Sequence, residues 1–388
     1  MNFNKLKKRL KQLKCAVIYY IVFFWSCIYR KRPDIWLISE RGKDARDNGY
    51  VFYRWLKENH NEIPLKYVIT DDSPDRSRVD DDDVIKFGSL RHYFLFVTAP
   101  VLISTHCQGY SPNLELFSQL DRKRMIMVRG KKILVDHCVR RGNASISQSG
   151  SWVDLMAIGI QKQYDAMREH AGFKDGVLRL IGLARFDNLY KNIGKATKPH
   201  ILFMPTWRMK YTHYTEKQFL KSEYYQQCLK LITDKKLDDF LGRNKLKLVF
   251  YTHIEMQKFI HLFKTDSENV IILDAKSAIV EDLLIESRVM ITDYSSVFFD
   301  FSYLNKPVIY FLFDNDENEA ASKNMWFTYE KDALGPCFYD EEKMVDYILN
   351  MDMSKPEKLY AQRNAETFNL KDDKNCERNY EAIMSLFN

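Results

Sequence analysis

A chain of 388 residues, 46% of them apolar, is long enough for two domains with separate cores, and neither half need be disordered. Its net charge of +7 is confined to the tail: residues 1–32 carry Lys5, Lys7, Lys8, Arg9, Lys11, Lys14, Arg30, Lys31 and Arg32 and no acid, which leaves 50 basic against 52 acidic side chains elsewhere and excludes a broad basic face for nucleic acid. Seven scattered cysteines without a CxxC spacing argue against a disulfide framework or a structural zinc site and point to a reducing compartment.

In chain order, the first element is helical. Residues 4–14 (NKLKKRLKQLK) set Leu6, Leu10 and Leu13 at helical spacing among lysines, and an apolar run, CAVIYYIVFFWSCIY at 15–29, leads into Arg30-Lys31-Arg32. The run is shorter than the about 20 residues of a bilayer span, and no small-residue cleavage site follows it. Basic flanks and edge aromatics predict a helix lying in or dipping into the cytoplasmic leaflet, held by anionic lipid. A core helix of the first domain and a single span are the alternatives.

From Pro33 the texture becomes strand-helix alternation. Strands are predicted at 35–39, 65–70, 83–88, 99–105, 131–137, 155–159 and 178–182, with helices such as Gly49–Asn59 and Gln161–Ala171 between them. A polar, proline-closed linker is placed at 190–199. The pattern restarts with strands at 200–205, 245–253, 269–274, 289–293 and 306–312 and helices at 215–240, 277–287 and 295–304; the tail from 356 reads as helical and able to pack back on the first domain. Nearly continuous apolar strands predict doubly wound parallel sheets, hence two α/β domains (33–190 and 198–388, after a basic tail at 1–32) facing a cleft, with ligands at the carboxyl ends of strands.

The chemistry-bearing residues cluster at those ends. In VMITDYSSVFFDF (289–301) a strand runs into Asp293, and Ser295-Ser296 open the next helix, a place that suits either a plain cap or a phosphate. FMPTWR (203–208) offers Arg208 as a two-point phosphate clamp projecting into the cleft, and FYTHIEM (250–256) sets His253 just past a strand. In the first half KKILVDH (131–137) ends at His137, suited to general base work, beside Cys138 and Arg140-Arg141. Cys138 as nucleophile and His106 (STHCQG) as the base are weaker alternatives, and Arg185 with Asp187 in GLARFDNL reads equally as a structural ion pair. The acidic run at 79–83 reads as a solvated loop. There is no GxxxxGK[ST], GxGxxG, HExxH or GxSxG. A divalent metal is compatible with phosphoryl transfer, but no ligand set for one is readable and no other cofactor is implied.

Taken together, SERGKDARDNGYVFYRWL, His137, GLARFDNL, MPTWR, His253, DLLIESRVMITDYSSVFFDFSYLNKPVIY and Gly335-Pro336 resemble the CDP-glycerol glycerophosphotransferase family over about residues 39–350. The resemblance implies a GT-B-like fold of two Rossmann-type domains. It implies transfer of a polyol phosphate (glycerol or ribitol phosphate) from a CDP-activated donor to a hydroxyl of a lipid-linked acceptor or polymer, with release of CMP, at the cytoplasmic membrane face. It casts His137 as the catalytic histidine and base and His253 as a second catalytic group. Arg208, His253, Ser295 and Ser296 become donor-phosphate contacts, with Asp293 and Asp300 flanking and Arg185 in support. The chain departs from the family pattern at Cys138, where glycine is usual, at Ile254, where proline is usual, and between 325 and 335. A GT-B glycosyltransferase using a nucleotide sugar and a non-catalytic membrane-bound module of a polymer-assembly complex are the competing readings.

Overall fold

The computed structural model describes residues 3–28, 33–142, 146–147, 150–314 and 326–387, with side chains from Leu6 onward. Arg30, Lys31 and Arg32 lie outside the described residues. The described chain divides into two compact units. One comprises the chain up to Val139, the stretch after Gly142 as far as Asp187, and the segment from Asp372; the other comprises Arg140–Gly142 and Asn188–Lys371.

The first unit is built on seven parallel strands: β1 (Trp36–Ser39), β2 (Leu65–Ile69), β3 (Val84–Lys86), β4 (Val101–Ser104), β5 (Lys131–Leu134), β6 (Leu155–Ile158) and β7 (Leu178–Leu180), in the order β3-β2-β1-β4-β5-β6-β7. Side chains alternate across the sheet, so Trp36 and Ile38 enter one core with Phe52, Leu56, Val101 and Ile103, while Leu37 enters the other with Val68, Phe96 and Leu102. Helices cover both faces, which is why these strands are apolar throughout. The order reverses between β1 and β4, opening a crevice beyond their carboxyl ends.

The helix Phe3–Ile28 packs on this unit by one seam only, with Cys15, Tyr19, Val22 and Ser26 buried. By length and composition its stretch Leu6–Ile28 is sufficient to cross a membrane. In the acidic run Asp80, Asp81 and Asp82 are exposed as expected, but Asp83 is buried, accepting from the Tyr53 hydroxyl at 2.8 Å and from Lys57 at 2.8 Å.

Six parallel strands form the second unit: β8 (His200–Phe203), β9 (Lys247–Tyr251), β10 (Val270–Leu273), β11 (Val289–Thr292), β12 (Val308–Phe311) and β13 (Cys337–Phe338), ordered β10-β9-β8-β11-β12-β13. Ile201, Phe203, Leu248, Phe250, Val289, Ile291, Ile309 and Phe311 supply one face to a core shared with Phe219, Tyr224 and Met344. The reversal recurs between β8 and β11. All twelve expected strands form. The thirteenth, β13, has two residues, too few for any periodicity. It begins after Gly335-Pro336, where a Cβ on Gly335 would lie 1.8 Å from the Val308 carbonyl oxygen.

The helix expected at 215–240 is three helices, Glu216–Phe219, Glu223–Ile232 and Lys235–Arg243. Ser222 and Asp234 interrupt it because each turns its side chain onto a backbone N–H of the following helix, at Tyr225 and Leu237. Assigning 198–388 to one domain is also corrected. The helix Asn375–Met384 buries Cys376 and Ile383 in the first unit's core, and the Asp187 carboxylate accepts from Asn375 N (2.7 Å), Asn375 Nδ2 (2.7 Å) and Cys376 N (2.9 Å).

Candidate active site

In the second unit the loop after β8 carries Arg208, and the structure does not project it outward. Arg208 is 1% exposed. Its Nε and Nη2 donate to Asp314 (3.1 and 2.7 Å), Nη2 also to Asp293 (2.9 Å), and Nη1 to the Thr206 carbonyl (2.9 Å). Burial works against its charge, but the two carboxylates more than offset that and raise its pKa above the ordinary value. Asp293, equally buried, also accepts from Thr206 N at 2.8 Å. Burial outweighs these partners and raises its pKa. Arg208 is thus corrected from a side chain projecting into the cleft to a buried one, and with Asp293 it braces the loops after β8, β11 and β12.

Other groups hold the backbone of the Asp293-Tyr294-Ser295-Ser296 turn. The Tyr294 hydroxyl donates to the Asp314 carbonyl, and the Tyr329 hydroxyl to the Asp293 carbonyl at 2.9 Å. Arg141 donates to the Tyr294 carbonyl (2.6 Å) and to the Tyr329 hydroxyl (2.9 Å). With its carbonyls engaged, the turn leaves Ser295 and Ser296 half-buried at the start of the helix Val297–Tyr303. Ser295 Oγ accepts from Val297 N at 3.3 Å, while the backbone N–H groups of Ser295 and Ser296 bond to no other described residue. Asp300 is buried in the first turn of that helix.

His253 follows β9 and is half-buried against the Trp207 ring, stacked at 5.9 Å. Its Nδ1 accepts from Glu255 N at 3.2 Å, so the neutral ring carries its proton on Nε2, a donor suited to an anionic oxygen.

The first unit holds His137 past β5. Asp136 adopts φ 51°, which lets its buried carboxylate accept from His137 N at 2.8 Å and approach Nδ1 at 3.3 Å. The ring stacks on His106 at 4.5 Å and 14°, and its side chain is 34% exposed, within reach of a substrate. Burial disfavours the imidazolium, but the Cys138 sulfur and the Asp136 carboxylate outweigh it and the pKa is pushed up to about 10. Arg185 anchors the same loop: Nη1 donates to the His137 carbonyl and to Asp47, each at 2.9 Å. It does not pair with Asp187, which caps the C-terminal helix instead. His106 donates or accepts at Nδ1 with Thr105 Oγ1 at 2.9 Å.

The first unit's own switch point is occupied from within. Glu40, the residue after β1, is buried and accepts from Arg46 N (3.0 Å), Asp47 N (3.2 Å) and Tyr50 N (2.7 Å) at the start of the helix Asn48–Asn59. Asp136, Glu40, Asp314, Tyr329 and the role of Arg141 were not anticipated. An acid beside a strand-end histidine and an acid just past β12 were the signals present. Among the described residues no group of three or more His, Cys, Asp or Glu is arranged to hold a metal ion.

Comparison with known proteins agrees with this architecture. The profile of the family described as CDP-Glycerol:Poly(glycerophosphate) glycerophosphotransferase matches residues 20–385. The minor teichoic acid biosynthesis protein GgaB of Bacillus subtilis (strain 168) is 28% identical over 403 residues, covering 99% of this chain and 43% of that protein. The teichoic acid glycerol-phosphate primase of the same organism is 26% identical over 204 residues, covering 50% of this chain and 49% of the primase. The chain thus matches less than half the length of either relative. The solved wall teichoic acid polymerase TagF is similar over 100% of both chains, with a TM-score of 0.72 at 17% identity, a likeness of fold. Two parallel sheets with flanking helices form a GT-B-like fold, and the chain belongs to the CDP-glycerol:poly(glycerophosphate) glycerophosphotransferase family.

Proposed function

We propose that this chain transfers a polyol phosphate, glycerol or ribitol phosphate, from a CDP-activated donor to a hydroxyl of a membrane-lipid-linked acceptor, releasing CMP, in the synthesis of teichoic acid or a related cell-surface polymer. The observation that carries the reading is the Asp136–His137 pair, reachable at a strand end, in a chain whose family match spans both units. The acceptor oxygen attacks the β-phosphorus, the bond from that phosphorus to the CMP oxygen breaks, and CMP leaves with the electron pair. His137 takes the hydroxyl proton on Nε2 while Asp136 holds Nδ1. The N–H groups and hydroxyls of Ser295 and Ser296, with the Nε2–H of His253, take up charge on the donor phosphates. Arg208, Asp293, Arg185 and Asp300 act behind them, as supports of the loops. Positioning and charge stabilisation supply most of the acceleration, as is general for phosphoryl transfer. The basic N-terminal helix associates with the cytoplasmic face of the membrane, where a lipid-linked acceptor would be met.

The test is CMP release by the purified chain from CDP-glycerol and from CDP-ribitol, with membrane-lipid acceptor and a His137→Ala control. Acceptor-dependent release that disappears in the control identifies the donor and the reaction. Sugar-nucleotide turnover in place of CMP release selects the glycosyltransferase. One observation favours a non-catalytic member: Cys138 adds a side chain where the family usually has glycine. Donor binding by calorimetry with no CMP release would select that reading.

A further inference from the structure

Two segments of the first unit share an unusual composition and are bonded to each other. The helix Phe3–Ile28 contains no acid, and 122–132 (RKRMIMVRGKK) has six basic residues and none acidic. The Tyr19 hydroxyl donates to the Met127 carbonyl at 2.9 Å and accepts from Met127 N at 2.8 Å. The Tyr20 hydroxyl donates to the Met125 carbonyl (3.4 Å), and Arg129 Nη2 to the Ser26 carbonyl (2.6 Å). Opposite the docked seam, Leu10, Leu13, Val17, Ile21, Phe24 and Ile28 recur at three- and four-residue intervals and stand exposed, Phe24 at 66% and Ile28 at 81%. At 100° per residue, Arg9 flanks this stripe on one side and Lys7 and Lys14 on the other. Met125 (48%) and Met127 (54%) are exposed beside it, next to exposed Arg122 and Lys123.

We infer that the helix and residues 122–132 form one docking face for an anionic bilayer, with the helix lying in the membrane plane and the methionine-bearing segment entering the headgroup layer beside it. This rests on the membrane reading above, anionic lipid included, and extends it to a second element. An in-plane helix follows from the seam. A spanning helix presents its whole circumference to lipid, whereas Cys15, Tyr19, Val22 and Ser26 are buried in protein along the same length. Anionic lipid is the occupant that fits, because every charge bordering the stripe on these two segments is positive, whereas an ordinary protein partner would present both signs. Lys8, which pairs with Glu115 at 2.7 Å, and Arg124, stacked over Trp152 at 3.7 Å, are engaged elsewhere on the unit.

Sedimentation of the full chain with phosphatidylglycerol-containing vesicles and with phosphatidylcholine vesicles tests this, alongside two variants. One is Arg122→Gln/Lys123→Gln, the other Val17→Asp/Phe24→Asp; all four positions are exposed, and thermal unfolding checks that each variant folds. We expect at least tenfold preference for the anionic vesicles, weakened by salt. The loop variant should lose about 25-fold in binding, about fivefold per basic residue, and the stripe variant should lose binding altogether. A loop variant that binds like the wild type while the stripe variant does not would overturn the inference and leave the membrane reading intact. Equal binding to both vesicle types would overturn the lipid selectivity. A wild type that binds neither would remove both claims. A dimer seen by light scattering that the stripe variant breaks, with no vesicle binding, would assign the stripe to a second copy of the chain instead.

Discussion

From its left-handed backbone position Asp136 fixes the orientation of the His137 ring, and with the Cys138 sulfur, the larger influence, it raises the proton affinity of that ring. Below the raised pKa of about 10, His137 is largely protonated and cannot accept the acceptor's proton. The acid limb of kcat/KM should therefore lie above the ordinary histidine range near 6.5. Asp136→Asn should shift that limb downward while lowering the plateau rate, and a pH–rate profile unmoved by this substitution would exclude His137 as the base. Stability carries the same sign. Between the unfolded pKa and about 10 the native state binds more protons than the unfolded chain, so this pair's contribution is complete below about pH 6.5 and fades as pH rises through the folded value. Arg208 has a different fate. Arg208→Ala leaves two buried carboxylates uncompensated and should cost about 3–5 kcal/mol in denaturant unfolding. Arg208→Lys should recover little, since a point charge cannot satisfy Asp293 and Asp314 at once. A raised donor KM with unchanged stability would instead restore Arg208 to the phosphate site. Its type and strand-end place were legible in the sequence. Its burial was not, because Asp314, which claims it, lies 106 residues away and becomes a neighbour only through the order of β8, β11 and β12.

Among the elements, the C-terminal helix shows most clearly where local pattern stops informing. Its amphipathic periodicity is readable, but which core it enters is decided by the Asp187 carboxylate. That carboxylate accepts from two backbone N–H groups at the helix start, where Lys374 at the N-cap makes no side-chain bond. Asp187→Ala should cost about 2 kcal/mol, at the upper end for a lost cap, and should increase hydrogen exchange in 375–384 before it does so in the second unit. Uniform loss of protection across both units would contradict that placement. The same tight seam constrains Gly182, where φ is +81° and a Cβ would lie 1.7 Å from Asn375 Oδ1. Strands were legible to within three residues because burial on both faces makes them apolar throughout. The split of 215–240 was legible only in hindsight, through Ser222 and Asp234, since the apolar periodicity is nearly continuous across the breaks.

At the scale of the molecule, two sheets with the same strand order carry different chemistry, the proposed base on one and the proposed donor contacts on the other. The roles should separate in binding. His137→Ala should keep donor affinity, measured by calorimetry with CDP-glycerol, while turnover falls by on the order of 10²–10³ or more. His253→Ala should lose turnover to a similar degree and weaken donor binding as well. Equal donor affinity in both variants would remove His253 from the donor site.

The matching strand orders also raise a question of self-competition, which Glu40 answers. A fold with two like crevices would offer a nucleotide phosphate two equivalent berths, and a donor lodged in the wrong one would act as an inhibitor of its own transfer. In the first unit the amides that would welcome such a phosphate already donate to the tethered carboxyl group of Glu40, so an incoming phosphate finds them taken. The chain thus carries its own occupant for the superfluous berth, and a duplicated architecture is left with a single polarity.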